Sequence, residues 1–258
     1  MRAFTKAIVR PPGLSFSSGL TTAGLGPPNL ARAREQHDEY CDALERCGLS
    51  LIHLEAEPLL PDSPFVEDTA ILTERAAILT RPGARSRRGE VASIRKALER
   101  QPLRIRSIEE PGTLDGGDVC ETDGHFLIGL SERTNEEGAR QLARFLIEDG
   151  LASTSVDIRD LGGLLHLKSG IAFLGCGRFV TVDALARHGA LRGNEIITVD
   201  PKETYAANCV RVNEFVLIAA GSPRLEAHLK RLGQRVIAVE MSEFQKMDGG
   251  LSCLSLRF

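Results

Sequence analysis

Between Asp68 and the C-terminus, a polar or glycine-rich segment repeatedly opens a pair of apolar runs joined by a charged or glycine-bearing turn. The unit is legible in residues 66–80, 115–130, 166–182 and 206–220. A last copy starts at G-G-L-S-C, where its short apolar tail is placed to pair with the opening strand F-T-K-A-I-V-R. One polar residue anchors each copy (Asp68, Asp115, His166, Asn208, Cys253), and successive anchors stand 47, 51, 42 and 45 residues apart. Spacing this regular predicts five turns of one module.

A helical stretch and then a single strand follow most of the hairpins. Helical periodicity covers Ala31 to Cys47, Arg87 to Arg100, Asn135 to Asp149 and Ser222 to Leu232, each ending close to a Gly or Pro. The single strands are S-L-I-H-L, L-R-I-R-S-I, S-V-D-I-R, E-I-I-T-V and R-V-I-A-V. The expected architecture is a cyclic α/β array of ββαβ modules, with short sheets around an axis and helices outside. Equivalent module positions would then bring the anchors together at its middle. The competing expectation is an α/β sandwich with unevenly spaced hairpins.

The 258 residues, 42% apolar and 26% charged, are enough for a full core, and no long Pro, Ser or Gly stretch separates domains. One domain over residues 1–258 is expected. The net charge of −3 and the absence of a basic block beyond R-S-R-R at Arg85–Arg88 argue against nucleic acid and membrane partners. Six cysteines without a C-x-x-C pair indicate neither a zinc site nor a disulfide framework, so a reducing cytoplasm is expected. The N-terminal apolar run is too short for a signal peptide.

Together the anchors and their neighbours offer a thiol (Cys253), an imidazole (His166) and the carboxylates Glu67, Asp68, Asp115, Asp118 and Asp248. These are a nucleophile, a base and orienting acids. Taken singly, Cys253 would be a small buried hydrophobe, His166 a core histidine and the D-G-G-D aspartates turn residues. So many carboxylates around one thiol point to a planar cation as substrate, because a guanidinium presents five donors in a fixed fork. The same charge would suppress thiol ionisation until that cation arrives.

Seven segments in order (F-V-E-D-T-A, R-P-G-A-R-S-R-R-G-E, P-G-T-L-D-G-G-D-V, S-E-R-T-N, L-H-L-K-S-G, A-A-N-C-V and K-M-D-G-G-L-S-C-L-S) resemble the dimethylarginine dimethylaminohydrolase family along nearly the whole chain. The resemblance implies the pentein fold, a five-bladed α/β propeller, and hydrolysis of Nω-methylated arginines to citrulline without metal or organic cofactor. It implies Cys253 as nucleophile, His166 as general acid/base, and Asp115 as the acid supporting His166 or the guanidinium. Asp68 would hold the guanidinium, with Glu67 and Asp62 in the binding wall. Arg87 and Arg133 would clamp the substrate α-carboxylate, and Met247 and Asp248 would touch its α-amino end. Leu20 would lie in a lid loop over about residues 15–29. A monomer or homodimer is expected.

Free-arginine deiminases of this superfamily carry an acid two residues after the catalytic histidine, where this chain has Lys168. Rival expectations are arginine deimination or amidino transfer on the same fold, or a non-catalytic ribosome-binding factor. A papain-like protease fits poorly, since C-G-x-C-W and tryptophan are absent.

Overall fold

The structure, a computed structural model, describes residues 3–258. Five three-stranded sheets are built among them. In chain order their central strands are Lys6–Val9, Ala76–Leu79, His125–Leu130, Arg178–Thr181 and Phe215–Ala219. Each central strand is antiparallel to one neighbour and parallel to the other.

In four of the sheets the antiparallel neighbour is the first arm of a tight hairpin: Ala70–Leu72, Val119–Glu121, Ile171–Gly175 or Val210–Val212. In the remaining sheet it is the C-terminal strand Ser255–Arg257, in the register Ala7↔Arg257 and Val9↔Ser255. The first and last segments of the chain therefore complete one module together, as their sequence pattern predicts. The parallel neighbours are Ser50–His53, Arg104–Ser107, Ala152–Asp157, Glu195–Thr198 and Arg235–Val239. Parallel pairing requires a crossover. Helices Leu30–Arg46, Val91–Leu98, Glu136–Glu148 and Pro223–Arg231 supply four of these, and the shorter crossover 182–194 holds only the turns Asp183–Ala186 and Gly189–Leu191.

Local signals set the helix ends. The Asn29 side chain accepts from Arg32 N, and that of Asn135 accepts from Gly138 N. Helix Leu30–Arg46 buries Ala33, His37, Tyr40, Cys41 and Leu44, the i, i+4, i+7, i+8 face of an amphipathic helix. Fully burying Tyr40 and Leu44 stabilises the fold by about 1.5–3 kcal/mol each.

Two expectations shift in detail. The helix predicted over 87–100 begins as a 3-10 turn, Arg85–Glu90, and only then becomes α-helical at Val91. Three residues per turn place Arg87 over Glu90, so their side chains pair directly. The strand expected at S-V-D-I-R starts earlier, at Ala152, because it follows the full length of His125–Leu130 in parallel register.

The chain divides into two compact units, residues 67–198 and residues 3–66 with 199–258. In the first, Ile78, Leu114, Ile128, Leu142 and Leu146 form a fully buried apolar cluster. In the second, Phe16, Phe65 and Phe244 meet with ring centroids 5.5–6.3 Å apart, packed with Met247 and Leu254. Among the described residues no helix is long and apolar enough to cross a membrane.

Candidate active site

In the unit 67–198, the residues that open each hairpin converge. The segment D-G-G-D leaves Asp115 extended and turns at Gly116–Asp118, while His166 precedes the 3-10 turn Leu167–Ser169. His166 Nε2 lies 3.1 Å from Asp115 Oδ2, and both residues are buried. The other Asp115 oxygen accepts from Gly83 N at 2.9 Å. Asp68 accepts from Gly117 N at 2.8 Å and from Arg87 Nη1 at 2.5 Å. Only glycine fits at 117, since a Cβ there would stand 2.8 Å from the His166 ring and 2.9 Å from Asp68 Oδ1.

Burial alone would discourage charge on His166, but Asp68, Asp118 and Asp115 together outweigh it and raise its pKa to about 9. Burial likewise works against the Asp68 carboxylate, and here His166, Arg87 and the Gly117 N–H prevail, holding it well below the usual range. Imidazolium and carboxylate are therefore the forms present at neutral pH. Asp68, Asp115 and His166 present their polar atoms within 4.8 Å of one another, so two carboxylates face the imidazolium. Arg87 already donates to Asp68, so a guanidinium is a cation this cluster accommodates.

Arg87 is buried, and its fork also grips Glu90 from Nε and Nη2 at 2.8–3.2 Å. Arg133 differs. It is half-buried at the turn Ser131–Thr134, and its guanidinium has no hydrogen-bond or ion-pair partner among the described residues. Glu67, next to Asp68, pairs with Lys168 at 2.6 Å, and both are largely buried.

The second unit carries the thiol. Cys253 is half-buried in the 3-10 turn Ser252–Leu254, and Gly250 N donates to its Sγ at 3.3 Å. An N–H aimed at sulfur favours the thiolate. Asn208 clamps the turn, accepting from Ser252 N at 3.0 Å and donating to Ser252 Oγ at 3.1 Å. A Cβ on Gly250 would collide with that amide at 2.3 Å. Tyr205 Oη donates to Gly249 O at 2.7 Å, which fixes the other side of the loop.

Segment 15–29 touches the same unit's acids. Leu20 N donates to Asp62 Oδ1 at 3.0 Å, and both the N–H and hydroxyl of Thr22 donate to Asp248 Oδ2 at 2.5 and 3.0 Å. Phe16 at its start is buried in the aromatic cluster, whereas Leu20 and Leu25 are exposed. The Met247 side chain is buried in that cluster too, so the backbone is the part of this residue left to meet a ligand.

Sequence reasoning did not single out Glu90, Ser131, Thr134 or Tyr205. Glu90 had a readable signal, the i, i+3 spacing from Arg87. Ser131 had one too, since its hydroxyl accepts from the N–H groups of Arg133 and Thr134 in a local turn, whereas Thr134 and Tyr205 act through contacts 16–44 residues away in sequence.

The family model for arginine deiminase matches residues 55–214. The N(G),N(G)-dimethylarginine dimethylaminohydrolase of Pseudomonas aeruginosa is 43% identical over 99% of this chain and 100% of its own, and that of Streptomyces coelicolor is 33% identical over 98% and 96%. A cysteine-to-serine variant of the P. aeruginosa enzyme complexed with citrulline superposes with a TM-score of 0.96 over 100% of both chains. The N-terminal domain of the cyanobacterial arginine dihydrolase ArgZ, 19% identical over 98% of this chain and 97% of its own, shares the fold with a TM-score of 0.87. The five ββαβ modules are those of the pentein fold, the five-bladed α/β propeller. The chain belongs to the arginine deiminase family and, within it, to the dimethylarginine dimethylaminohydrolases.

Proposed function

We propose that this chain hydrolyses Nω,Nω-dimethyl-L-arginine and Nω-monomethyl-L-arginine to L-citrulline, releasing dimethylamine or methylamine. The observation that carries the reading is the full-length match to the P. aeruginosa dimethylarginine dimethylaminohydrolase, whose cysteine-to-serine variant was captured with citrulline. A histidine-to-glycine variant of such an enzyme forms an adduct with S-methyl-L-thiocitrulline, in keeping with covalent chemistry.

In this mechanism the Cys253 thiolate attacks the guanidinium carbon to give a tetrahedral adduct. His166, protonated at neutral pH by its carboxylate surroundings, gives its proton to the departing amine as the C–N bond breaks. The S-alkylthiouronium that remains is attacked by water, from which the now neutral His166 takes a proton. The C–S bond then breaks, the remaining O–H proton passes to solvent, and citrulline leaves as the thiolate returns. Asp115 orients the imidazole, and Asp68 stays ionised to bind the guanidinium. Arg133, with its open fork, takes the α-carboxylate, while Arg87, through its pairs with Asp68 and Glu90, keeps the guanidinium ligand in place. Glu67 lines the wall beside Asp68. Asp62, Asp248 and the backbone of Leu20 and Met247 receive the α-amino end. Segment 15–29 acts as the lid. The six free cysteines fit a reducing cytoplasm, and the active form is a monomer or homodimer.

Incubation of the purified protein with dimethylarginine, monomethylarginine and arginine, with assay of citrulline and the released amine, tests this. Dimethylamine and citrulline in equal amounts are expected. Ammonia from arginine alone would move the assignment to deimination.

A further inference from the structure

Asp118 has no part in the chemistry proposed above, yet its carboxylate is fully buried and forms no ion pair with a described residue. An isolated buried charge is costly unless hydrogen bonds compensate it. Three donors do so. Leu167 N donates to Oδ1 at 2.9 Å, and the hydroxyls of Ser131 and Thr134 donate to Oδ2 at 2.7 Å each.

Each donor leads to a different residue of the candidate site. Leu167 follows His166 directly, so its N–H fixes the backbone that carries the imidazole. The Thr134 hydroxyl, its proton committed to Asp118, accepts from Asp115 N at 3.1 Å. The Ser131 hydroxyl likewise accepts from Arg133 N at 3.0 Å and Thr134 N at 3.1 Å. A carboxylate offers only acceptors, which is what three converging donors require; an amide or a protonated acid would turn a donor towards them.

We propose that Asp118 is a positioning residue that sets, from one buried carboxylate, the His166–Asp115 pair and the turn carrying Arg133. The role assigned to those three residues rests on the proposed function; the positioning itself does not. Three acids face His166, namely Asp68, Asp115 and Asp118, so loss of the Asp118 charge also weakens the field that holds the imidazole protonated. The branches are separable. Through Thr134 and Leu167 the network acts on proton transfer, and through Ser131 it acts on carboxylate binding.

The test combines steady-state kinetics over pH with an NMR titration of the His166 ring, assigned by its absence in His166→Gln, and a thermal melt of each variant. For Asp118→Asn the His166 midpoint should fall by about one unit and kcat by about tenfold or more, beyond any loss of folded protein. Thr134→Val should lower kcat with KM kept, and Ser131→Ala should raise KM about tenfold with the His166 midpoint kept. These two keep the idea testable if Asp118→Asn does not fold. Unchanged midpoints and kinetics, or losses that merely track the folded fraction, would overturn the positioning role. A parent protein that leaves methylarginine intact while Asp118→Asn still shifts the His166 midpoint would sink the substrate reading and keep the positioning.

Discussion

Arg87 donates from Nη1 to Asp68 Oδ2 across 2.5 Å, and both side chains are buried. The same guanidinium serves Glu90, so one cation neutralises two carboxylates removed from water. Arg87→Ala should remove the cation these two buried carboxylates share and cost about 3–5 kcal/mol in chemical denaturation, because breaking a buried ion pair is strongly destabilising. Arg133→Ala, at a fork without protein partners, should leave stability within about 0.5 kcal/mol and raise KM about tenfold with kcat kept. Equal stability losses in the two variants would refute this division of labour. Agmatine, which lacks the α-carboxylate, should be a poor substrate of the parent.

Cys253→Ser should abolish turnover, on the order of a thousandfold or more, while calorimetry still detects methylarginine binding, since a hydroxyl fits the thiol's space without its nucleophilicity. The exposed Cys176 should tolerate Ala with activity intact. Substantial citrulline formation by Cys253→Ser would exclude the covalent route.

The pH dependence of stability carries a definite sign. His166 has its folded pKa raised from 6.5 to about 9, so its contribution is fully present below about pH 6.5 and is lost as pH rises through about 9. Asp68 is depressed below 3.8, so its contribution is present above that value and is lost as pH falls through its lower folded pKa. Urea denaturation at a series of pH values should show the alkaline decline in the parent and a flatter profile in His166→Gln. Identical alkaline slopes would mean that the imidazole is not held as a cation.

Gly117→Ala inserts a methyl group 2.8 Å from the His166 ring and 2.9 Å from Asp68 Oδ1. Such overpacking costs about 1–3 kcal/mol. Because the displaced groups are the proposed acid and the guanidinium ligand, kcat/KM should fall further than stability does. Gly124→Ala is not an equivalent control, as that glycine has φ +79°. A better control is Gly189→Ala, where a Cβ meets nothing within 4 Å and φ is not in the left-handed region. Parallel assays of the two decide whether the effect is local to the site.

Much of the fold is legible along the chain because the signals that build it are local. Hairpins announce themselves through alternating apolar runs and their turns, and Asn135 and Gly150 bracket their helix by a side-chain cap and a positive φ. The module anchors could be listed for the same reason, since four of them open a hairpin and Cys253 opens the strand that pairs with Lys6–Val9. His166 and Asp115 were thus readable as candidates, although 51 residues separate them.

Which group answers which was not readable. Arg87 and Arg133 look alike as sequence, but tertiary structure turns one inward onto Asp68 and Glu90 and leaves the other open. The resemblance places Met247 against the substrate's α-amino end, but its side chain belongs to the buried cluster of Phe16, Phe65 and Phe244. Asp118 reads as a turn residue, yet two segments, the turn Ser131–Thr134 and the backbone after His166, hang from its carboxylate. The sequence by itself determined the modules and the inventory of reactive groups, because propensity, capping and periodicity act over a few residues. Tertiary structure decided partners and protonation, because burial and charge compensation depend on distances in space that separation along the chain does not set.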